Sequence, residues 1–392
     1  MLFCLGFGVG GNMPTDGALY LEFLPREYHY LLTFMSVFFS LGAVLASVLG
    51  FLILPYSSCP ETLADGLLPS CDVATQNNGW RIMLFSVAVA TLIMLLVRTL
   101  CLKLPETPKF LMSQDRTRET IIVLEDIARI NGEEIRFRSV DLPSRAQLTA
   151  DSEEDRVENS GIPADQVPML VGDTAGTKDM DDNLPWGGNR SLDLLFSPRW
   201  RRTTLLVWNI WTFTSMAFTM FNVFLPKYLE TLGFEGESTP TRKDVYWDYM
   251  IYSVAGVPGS VMASYLIETR IGRKGTMAAS ALGSSAALFI FSVISSRATM
   301  LVSSSLVSFL VTLLYAVVYG YTPEVFDTAV RGTAVGTASG LGRIAGIVSP
   351  IVSGILFTIN ASLPLYVSVI GFFIVGICVV LLPFETRCRR QV

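Results

Sequence analysis

Residues 321–350 read YTPEVFDTAVRGTAVGTASGLGRIAGIVSP. Here Glu324 ends one apolar run, a short charged turn follows, and the next apolar run carries a glycine at every fourth position. Residues 20–50, YLEFLPREYHYLLTFMSVFFSLGAVLASVLG, show the same order, with Glu22 in the place of Glu324. The small residues of the two copies are Gly42, Ala46 and Gly50, and Gly332, Gly336 and Gly340. The chain therefore contains an internal repeat with one copy in each half.

Each copy of the repeat also closes on a matching tag. The first copy ends in LPETPKF at residues 104–110, and the second ends in LPFETR at residues 382–387. The first copy is longer, by close to the length of one polar loop, residues 55–79. Parallel repeats build many secondary transporters, and the binding site of such proteins lies between the two halves.

The composition is that of a membrane protein. Of the 392 residues 51% are hydrophobic and only 16% are charged, compared with about 25% charged residues in soluble domains. Apolar runs long enough to span a bilayer lie at roughly 2–20, 29–54, 80–102, 202–226, 247–268, 275–295, 300–320, 333–357 and 363–383. None of them alternates polar and apolar residues. The sequence therefore predicts an all-α membrane protein, a bundle of about nine transmembrane helices.

The first run contains GFGVGGNMPTDGALYLEF, residues 6–23, whose glycines have the spacing of a phosphate-binding loop. Such a loop requires a strand before the glycines and a helix after them. Only five residues precede Gly6, and Pro14 follows. Close crossings between helices explain the glycines better, because packing in lipid depends on backbone approach. The stretch is therefore predicted to be a membrane helix.

The polar connections divide the chain into four parts. These are a partial amino-terminal transmembrane half at 1–102, a cytoplasmic insert at 103–200, a six-helix transmembrane half at 201–384 and a basic cytoplasmic tail at 385–392. The insert opens with an amphipathic helix that ends at Asn131 and Gly132. One side of this helix is expected to carry Ile121, Ile122, Leu124, Ile127 and Ile130. The rest of the insert is acidic and typical of disorder, with a docking segment as the alternative.

Lysine and arginine at the span ends favour a cytoplasmic insert and carboxyl terminus. The loop at 55–79 then faces the exterior or an organelle lumen, where Cys59 and Cys71 can form a disulfide or remain free thiols. His29 is the one histidine, and no His or Cys cluster has metal-ligand spacing. We expect no metal site and no cofactor. The expected location is the plasma membrane or a vacuolar or vesicular membrane.

Several motifs together resemble the major facilitator superfamily, on its sugar-porter-like side, near the fungal relatives of the synaptic-vesicle-2-related transporters. They are GFGVGGNMPTDGALYLEFLP at 6–25, LPETPKFL at 104–111, ETRIGRKG at 268–275, YTPEVFDTAVRGTAVGTASGLGRIAG at 321–346 and PFETR at 383–387. Each motif is modest by itself, but they extend over nearly the whole chain and are jointly specific.

The resemblance implies a twelve-helix fold of two six-helix halves, in which the nine spans correspond to the fourth through twelfth helices. The first three family helices have no counterpart, so we expect a truncated or mis-started form that transports little by itself. Two positions depart from the family pattern. The acid expected three residues before Gly272 is Thr269, and Arg331, seven residues after Glu324, is matched in the first copy by His29.

The resemblance also implies alternating access, which requires a gate that opens and closes reversibly. Ion pairs at the cytoplasmic helix ends suit this role, because a half-exposed pair contributes only about 1 kcal/mol. The gating candidates are Glu22, Arg26, Glu106, Arg273, Lys274, Glu324, Arg331, Arg343 and Glu385. Arg343 lies well inside its span, where an arginine costs about 2.5–3.5 kcal/mol and should have a partner. Fixed structural bridging without gating is the alternative.

Polar side chains at helical spacing mark candidate solute-binding residues. They are Asn12, Asp16, Trp208, Thr212, Ser215, Asn222, Thr312, Tyr315 and Tyr319. Such stripes suit the wall of a cavity for a polar ligand with aromatic faces, and hydrogen bonds between helices are the alternative. The intramembrane acid Asp16 can bind a proton, pair with a cation or bond to a neighbouring helix.

The function these features favour is secondary-active, proton-coupled or facilitative, transport of a small polar organic solute by alternating access. The alternative is a transporter-derived sensor or scaffold, with the acidic insert as its output. An enzyme is not supported, because the sequence has no nucleophile motif and no metal-ligand spacing. The expected partners are the lipid bilayer, a small-molecule solute and protons, without nucleic acid; the sequence leaves the oligomeric state open.

Overall fold

The computed structural model describes residues 16–17, 19–20, 23–24, 28–58, 77–101, 105–113, 116–133, 195–198, 200–231, 242–293, 297–326, 328–360, 362–383 and 385. No strand occurs within these ranges. Their helices are α1 (Tyr30–Phe34), α2 (Ser36–Ser57), α3 (Gly79–Cys101), α4 (Pro108–Ser113), α5 (Thr117–Ile130), α6 (Arg201–Thr231), α7 (Arg242–Leu266), α8 (Gly272–Val293), α9 (Arg297–Val325), α10 (Thr328–Ile359) and α11 (Leu363–Val380).

The described helices agree with eight of the predicted spans. Six helical segments are long and apolar enough to cross a membrane: Tyr30–Ser57, Gly79–Leu100, Gly272–Val293, Ala298–Val325, Val330–Ile359 and Leu363–Val380. Helices α6 and α7 coincide with two further predicted spans but contain more polar residues. Among those of α6, Thr203, Thr204 and Thr214 are buried. The predicted first span, 2–20, and the Cys59–Cys71 pair lie outside the described residues, apart from four positions between 16 and 20.

Helices α6 to α11 pack around a common core. The packed pairs are α6 with α10 and α11, α7 with α9, and α8 with α9 and α11. Large side chains fill the core, including Phe221, Tyr228, Tyr321 and Phe372, each less than 2% exposed. The rings of Phe221 and Phe291 meet edge to face with their centroids 5.4 Å apart, a favoured aromatic geometry.

Polar residues point inward and aliphatic residues point outward, the reverse of a water-soluble bundle. Ser284 is fully buried and its hydroxyl donates to the Ser280 carbonyl at 2.7 Å, within the same helix. On α10, Ile347, Ile351 and Ile355 are 69%, 62% and 61% exposed. An apolar surface of this kind requires lipid, where each helix satisfies its own backbone hydrogen bonds.

Glycines have different packing roles on two of these helices. A Cβ at Gly259 of α7 would lie 2.3 Å from the Phe309 carbonyl oxygen of α9, so the two backbones touch there only because the residue is glycine. The repeat glycines of α10, Gly332, Gly336 and Gly340, would each place a Cβ with no described atom within 4 Å. Their spacing therefore does not mark a helix crossing in the described part of the chain.

The first-half helices α1 and α2 lie against α7 and α9. A Cβ on Gly320 of α9 would be 2.4 Å from the Thr33 hydroxyl of α1, and the Ser40 hydroxyl of α2 donates to that of Ser260 on α7 at 3.2 Å. Small residues thus bring the two halves into direct contact. Helix α3 packs against α2, and within the described part of the chain none of its apolar window is buried.

The insert contains the predicted amphipathic helix, observed as α5, with α4 packed against it. Gly132, with φ of 83°, takes the left-handed conformation that closes a helix, so the predicted end is confirmed. The predicted apolar side is only partly covered: Ile122 and Ile130 are 52% and 84% exposed, because α5 buries Thr120 and Ala128 instead.

Candidate functional site

The motif ETRIGRKG positions a group of charges at the start of α8. Gly272, the first residue of α8, has φ of 68°, a conformation that favours glycine. A Cβ there would also lie 3.1 Å from the carboxyl group of Glu385. Glycine therefore permits both the turn and the close approach of this carboxylate.

Glu385 caps the first turn of α8. Its Oε1 accepts the backbone N–H of Arg273 at 2.9 Å, and its Oε2 accepts that of Lys274 at 3.2 Å. The Lys274 ammonium donates to the Leu382 carbonyl. A carboxylate at a helix amino terminus satisfies free N–H groups and interacts favourably with the helix dipole. The closing tag of the second half is thus docked on α8.

Arg273 forms a buried ion pair with Glu324 at the end of α9. The side chains are 4% and 5% exposed, with Nε 2.6 Å from Oε2 and Nη2 donating to Oε1 at 2.9 Å. The guanidinium therefore lies against both carboxylate oxygens and donates a hydrogen bond to one of them. A buried pair is strongly destabilised when one partner is removed, because the other charge is left without compensation.

A residue of the first half reaches the same carboxylate. His29, immediately before α1, has Nδ1 at 3.9 Å from Glu324 Oε1. We call His29, Arg273, Lys274, Glu324 and Glu385 the charge cluster. It joins the start of α1, the start of α8, the end of α9 and the segment that follows α11.

The contacts given above do not include the remaining gating candidates, some of which lie outside the described residues. Glu106 is exposed and precedes α4, while Arg331 is half-buried in the first turns of α10. Glu22 and Arg26 lie outside the described residues. The structure therefore brings four of the nine gating candidates together, and the gating role of each remains a prediction.

A second site forms where α6, α9 and α10 meet. The Trp211 indole N–H donates to the Thr322 hydroxyl at 3.0 Å, and the Ser215 hydroxyl donates to the Gly342 carbonyl at 2.7 Å. The indole N–H of Trp208 donates to the Thr337 hydroxyl at 3.3 Å. These bonds fix one face of α6 against the other two helices.

Aromatic rings line this junction. Tyr319 packs edge to face against Trp211, with centroids 4.7 Å apart, and its ring stacks with Phe39 of α2 at 6.1 Å. Tyr315 lies one turn away, with centroids 6.2 Å from Tyr319, and meets Phe218 edge to face at 5.4 Å. Rings from both halves of the chain therefore face the same region.

Arg343 of α10 adds a positive charge to the aromatic rings. Its side chain is exposed and close enough to Tyr315 and Tyr319 to interact electrostatically with both phenols. We call Trp211, Ser215, Tyr315, Tyr319 and Arg343 the aromatic site. The structure places Arg343 in this site, and its predicted gating role remains untested.

The other solute-binding candidates are engaged within or between helices. Thr212 donates to the Trp208 carbonyl at 2.7 Å, and Asn222 accepts the Tyr249 hydroxyl at 2.9 Å. The Thr312 hydroxyl lies 2.9 Å from where a Cβ on Gly256 would be. The bond of Asn222 fits the interhelical bonding that the sequence left as an alternative, whereas the bond of Thr212 lies within α6.

The acid predicted inside the membrane is paired in the structure. Asp16 Oδ1 is 3.4 Å from Arg98 Nη2 near the end of α3, and both side chains are partly exposed. The pair opens on a cavity of about 250 Å³ that Tyr20, Phe23 and Met35 help to line. Asn12 lies outside the described residues.

Sequence reasoning missed Trp211 of the aromatic site and the rings of Phe39 and Phe218 that pack against it. It also missed His29 as a contact of Glu324. The aromatic residues gave no signal, since rings are common throughout the apolar runs. His29 did carry one, because it occupies the position that matches Arg331 of the second copy. Within the described ranges no group of three His, Cys, Asp or Glu residues could hold a metal ion.

The family model described as "Sugar (and other) transporter" matches residues 2–388. An uncharacterized MFS-type transporter of Schizosaccharomyces pombe is 33% identical over 388 residues, which are 98% of this chain and 67% of that protein. The MFS siderochrome iron transporter 1 of Ceriporiopsis subvermispora is 31% identical, with 99% and 70% covered. The synaptic vesicle 2-related protein of Bos taurus is 26% identical, with 98% and 61% covered.

Among solved structures, the proton:xylose symporter XylE bound to 6-bromo-6-deoxy-D-glucose is similar in fold. Its TM-score is 0.59 at 16% identity, and the match covers 95% of this chain and 67% of that chain. The chain thus spans about two thirds of the length of several proteins that it matches. The matched family, the shared fold and the apolar helices lead to one conclusion. This chain is a multi-pass membrane protein, not an enzyme, and belongs to the sugar-porter-like transporters of the major facilitator superfamily.

Proposed function

We propose that the chain carries a small polar organic solute across a plasma, vacuolar or vesicular membrane by proton-coupled alternating access. The observation that carries this proposal is the aromatic site. Its hydroxyls, its rings and Arg343 come from α6, α9 and α10, and Phe39 of the first half stacks on Tyr319. Few polar groups among apolar and aromatic walls are typical of small-molecule sites.

The charge cluster is the proposed gate at the cytoplasmic ends of these helices. Within it, the short bonds of Arg273 to Glu324 stay inside the second half, whereas His29 contributes the contact from the first half at 3.9 Å. The longer contact is the one that a rocking motion would break, because it joins the parts that move. Glu385 and Lys274 hold α8 in place during the motion.

Proton coupling is proposed to involve Asp16. The carboxylate is partly exposed and paired with Arg98 at 3.4 Å, so protons can reach it and the pair can separate when it is protonated. The proposed gate also includes the remaining predicted residues Glu22, Arg26, Glu106 and Arg331.

The test is solute-driven proton flux in liposomes that contain the full chain. Sugars, organic acids and amines are added one class at a time, and the pH inside the liposomes is followed with a trapped dye. We expect one class to move protons and Tyr319→Ala to abolish the effect. Tyr366→Ala is the matched control, because Tyr366 is 40% exposed on α11 and lies outside the aromatic site.

Two outcomes would contradict parts of the proposal. Solute uptake without proton movement, unchanged by Asp16→Asn, removes proton coupling and leaves facilitated transport. No uptake of any class, from a chain that remains folded by circular dichroism, rejects transport by this chain alone and favours the sensor or scaffold alternative.

A further inference from the structure

We propose that Phe51, Tyr56, Lys243 and Trp247 form a second gate between the two halves, at the ends of α2 and α7 that lie away from the charge cluster. We call these residues the distal gate. The two helices separate there to admit solute and close again when the charge cluster opens. This inference rests on the proposed transport function, because alternating access requires a closure on each side of the solute site.

Helices α2 and α7 come from different halves and lie against each other. Helix α2 begins beside α1, and α7 ends shortly before the cluster residues of α8. Near that end the Ser40 hydroxyl donates to the Ser260 hydroxyl at 3.2 Å. Tyr56 lies about 24 Å further along α2, at a rise of about 1.5 Å per residue. The contacts of Tyr56 are therefore far from the charge cluster.

Aromatic rings and one ammonium group join the distal ends of these helices. The ring centroids of Phe51 and Trp247 are 5.7 Å apart, with the ring planes tilted by 57°. The Lys243 ammonium nitrogen lies 4.5 Å from the centroid of the Tyr56 ring. Tilted aromatic pairs and a cation over an aromatic ring are both attractive arrangements. Each contact has one partner in each half of the chain.

These contacts suit repeated opening because they hold no buried charge. The side chain of Tyr56 is 72% exposed, that of Trp247 is 48% exposed, and Lys243 is exposed as well. Separating α2 from α7 here leaves the ammonium group in contact with water. Separating a buried ion pair would instead leave two uncompensated charges in a medium of low dielectric constant.

A proline lies between the two contacts on α2. Pro55 is inside the helix and immediately precedes Tyr56. Proline has no N–H group, so the carbonyl of Phe51, four residues earlier, cannot accept the usual helical hydrogen bond. Helices bend at such positions. The last turn of α2 can therefore move relative to Phe51, which lets the Tyr56 contact open before the ring pair does.

The experiment measures how fast a charged methanethiosulfonate reagent modifies a cysteine placed behind the distal gate, in the purified full chain in detergent. The variant is Ser47→Cys. Ser47 is 6% exposed, and it shares a face of α2 with Ser40 and Phe51, which are seven and four residues away. Mass spectrometry of the peptide that contains position 47 separates this modification from that of the native cysteines.

Loss of a gate contact should expose position 47. We expect Lys243→Gln to raise the modification rate about two- to fivefold, the factor that corresponds to one exposed cation–π contact. Lys243→Arg should keep the parent rate, because a guanidinium also stacks on aromatic rings. Arg81→Gln is the matched control, since the Arg81 guanidinium lies 5.2 Å from the centroid of the Trp80 ring within α3.

A second cysteine distinguishes a gate from general loosening of the fold. Thr33 of α1 is 1% exposed and touches Gly320 of α9, at the end of the halves that is near the charge cluster. Opening of the distal gate should not raise the modification rate of Thr33→Cys, because alternating access closes one side while the other opens. General loosening would raise the rate at both positions.

The outcomes are independent of the liposome assay because no solute is required. A rate at position 47 that Lys243→Gln does not change overturns the inference, and so does an equal rise at position 33. Solute uptake together with either result preserves the transport function and rejects the distal gate. A rise at position 47 alone, in a chain that moves no solute, preserves the opening between α2 and α7 and rejects transport.

Discussion

Two arginines of the second half lie in opposite environments. Arg273 of the charge cluster has a side chain only 4% exposed and contacts Glu324 at 2.6 and 2.9 Å. Arg343 of the aromatic site has an exposed side chain that faces two phenols. An arginine of an apolar helix can thus be buried against a carboxylate or keep an exposed side chain. The exposed fraction of the side chain separates the two cases.

The energetic consequence differs accordingly. A buried charge pair depends on both partners, because removal of one leaves the other in a medium that solvates it poorly. Replacement of an exposed arginine leaves no buried charge behind, so we expect a smaller loss of stability. The charge cluster should therefore govern stability, and the aromatic site should govern binding.

The largest expected effect comes from Arg273→Gln. It leaves Glu324 buried beside a neutral side chain, and we expect the free energy of unfolding in micelles to fall by about 3–5 kcal/mol. Chemical unfolding followed by circular dichroism measures this loss. The double variant with Glu324→Gln should recover part of it, because no uncompensated charge then remains.

The matched control is Arg343→Gln, which should leave the free energy of unfolding close to that of the parent chain. If Arg343→Gln destabilises the fold as much as Arg273→Gln does, the contrast between the two arginines is wrong. Arg343 would then be a structural residue.

A smaller effect is expected from Glu385→Gln, which keeps the shape of the cap on α8 but removes its charge. The amide oxygen can still accept one of the two backbone N–H groups, of Arg273 at 2.9 Å or Lys274 at 3.2 Å. A carboxylate at a helix amino terminus contributes about 1 kcal/mol, so the same unfolding assay should show a loss of that size. A loss as large as that of Arg273→Gln would show that Glu385 contributes as much to stability as the pair of Arg273 and Glu324.

The charge cluster was largely accessible to sequence reasoning. Arg273, Lys274, Glu324 and Glu385 stand out as charges at the ends of apolar runs, and Glu324 and Glu385 lie inside motifs that recur in the two halves. Hydropathy fixes where helices end, and ends that share one side of a membrane lie near each other. The grouping follows without knowledge of the rotation of any helix.

The aromatic site was less accessible because it depends on how each helix is rotated about its axis. Periodicity selected the stripe of Trp208, Thr212 and Ser215 on α6, yet Trp211, one position before Thr212, is the residue that meets Tyr319. Long-range packing of α6 against α9 decides this rotation. Glycine spacing was ambiguous for the same reason, since Gly259 touches a neighbouring backbone while Gly336 meets no described atom within 4 Å.

The smallest effect is expected at an ion pair in which the charged atoms are as close as any in the charge cluster. Arg116 Nη2 lies 2.5 Å from Glu119 Oε2 at the start of α5, with side chains 45% and 51% exposed. Water solvates both groups whether or not they meet, so we expect Arg116→Gln to change the free energy of unfolding by less than about 0.5 kcal/mol. By distance alone, this pair should contribute as much to stability as the pair of Arg273 and Glu324. Its exposure predicts a far smaller contribution. A loss of several kcal/mol in the same unfolding assay would therefore reject burial as the feature that distinguishes the arginines of this chain.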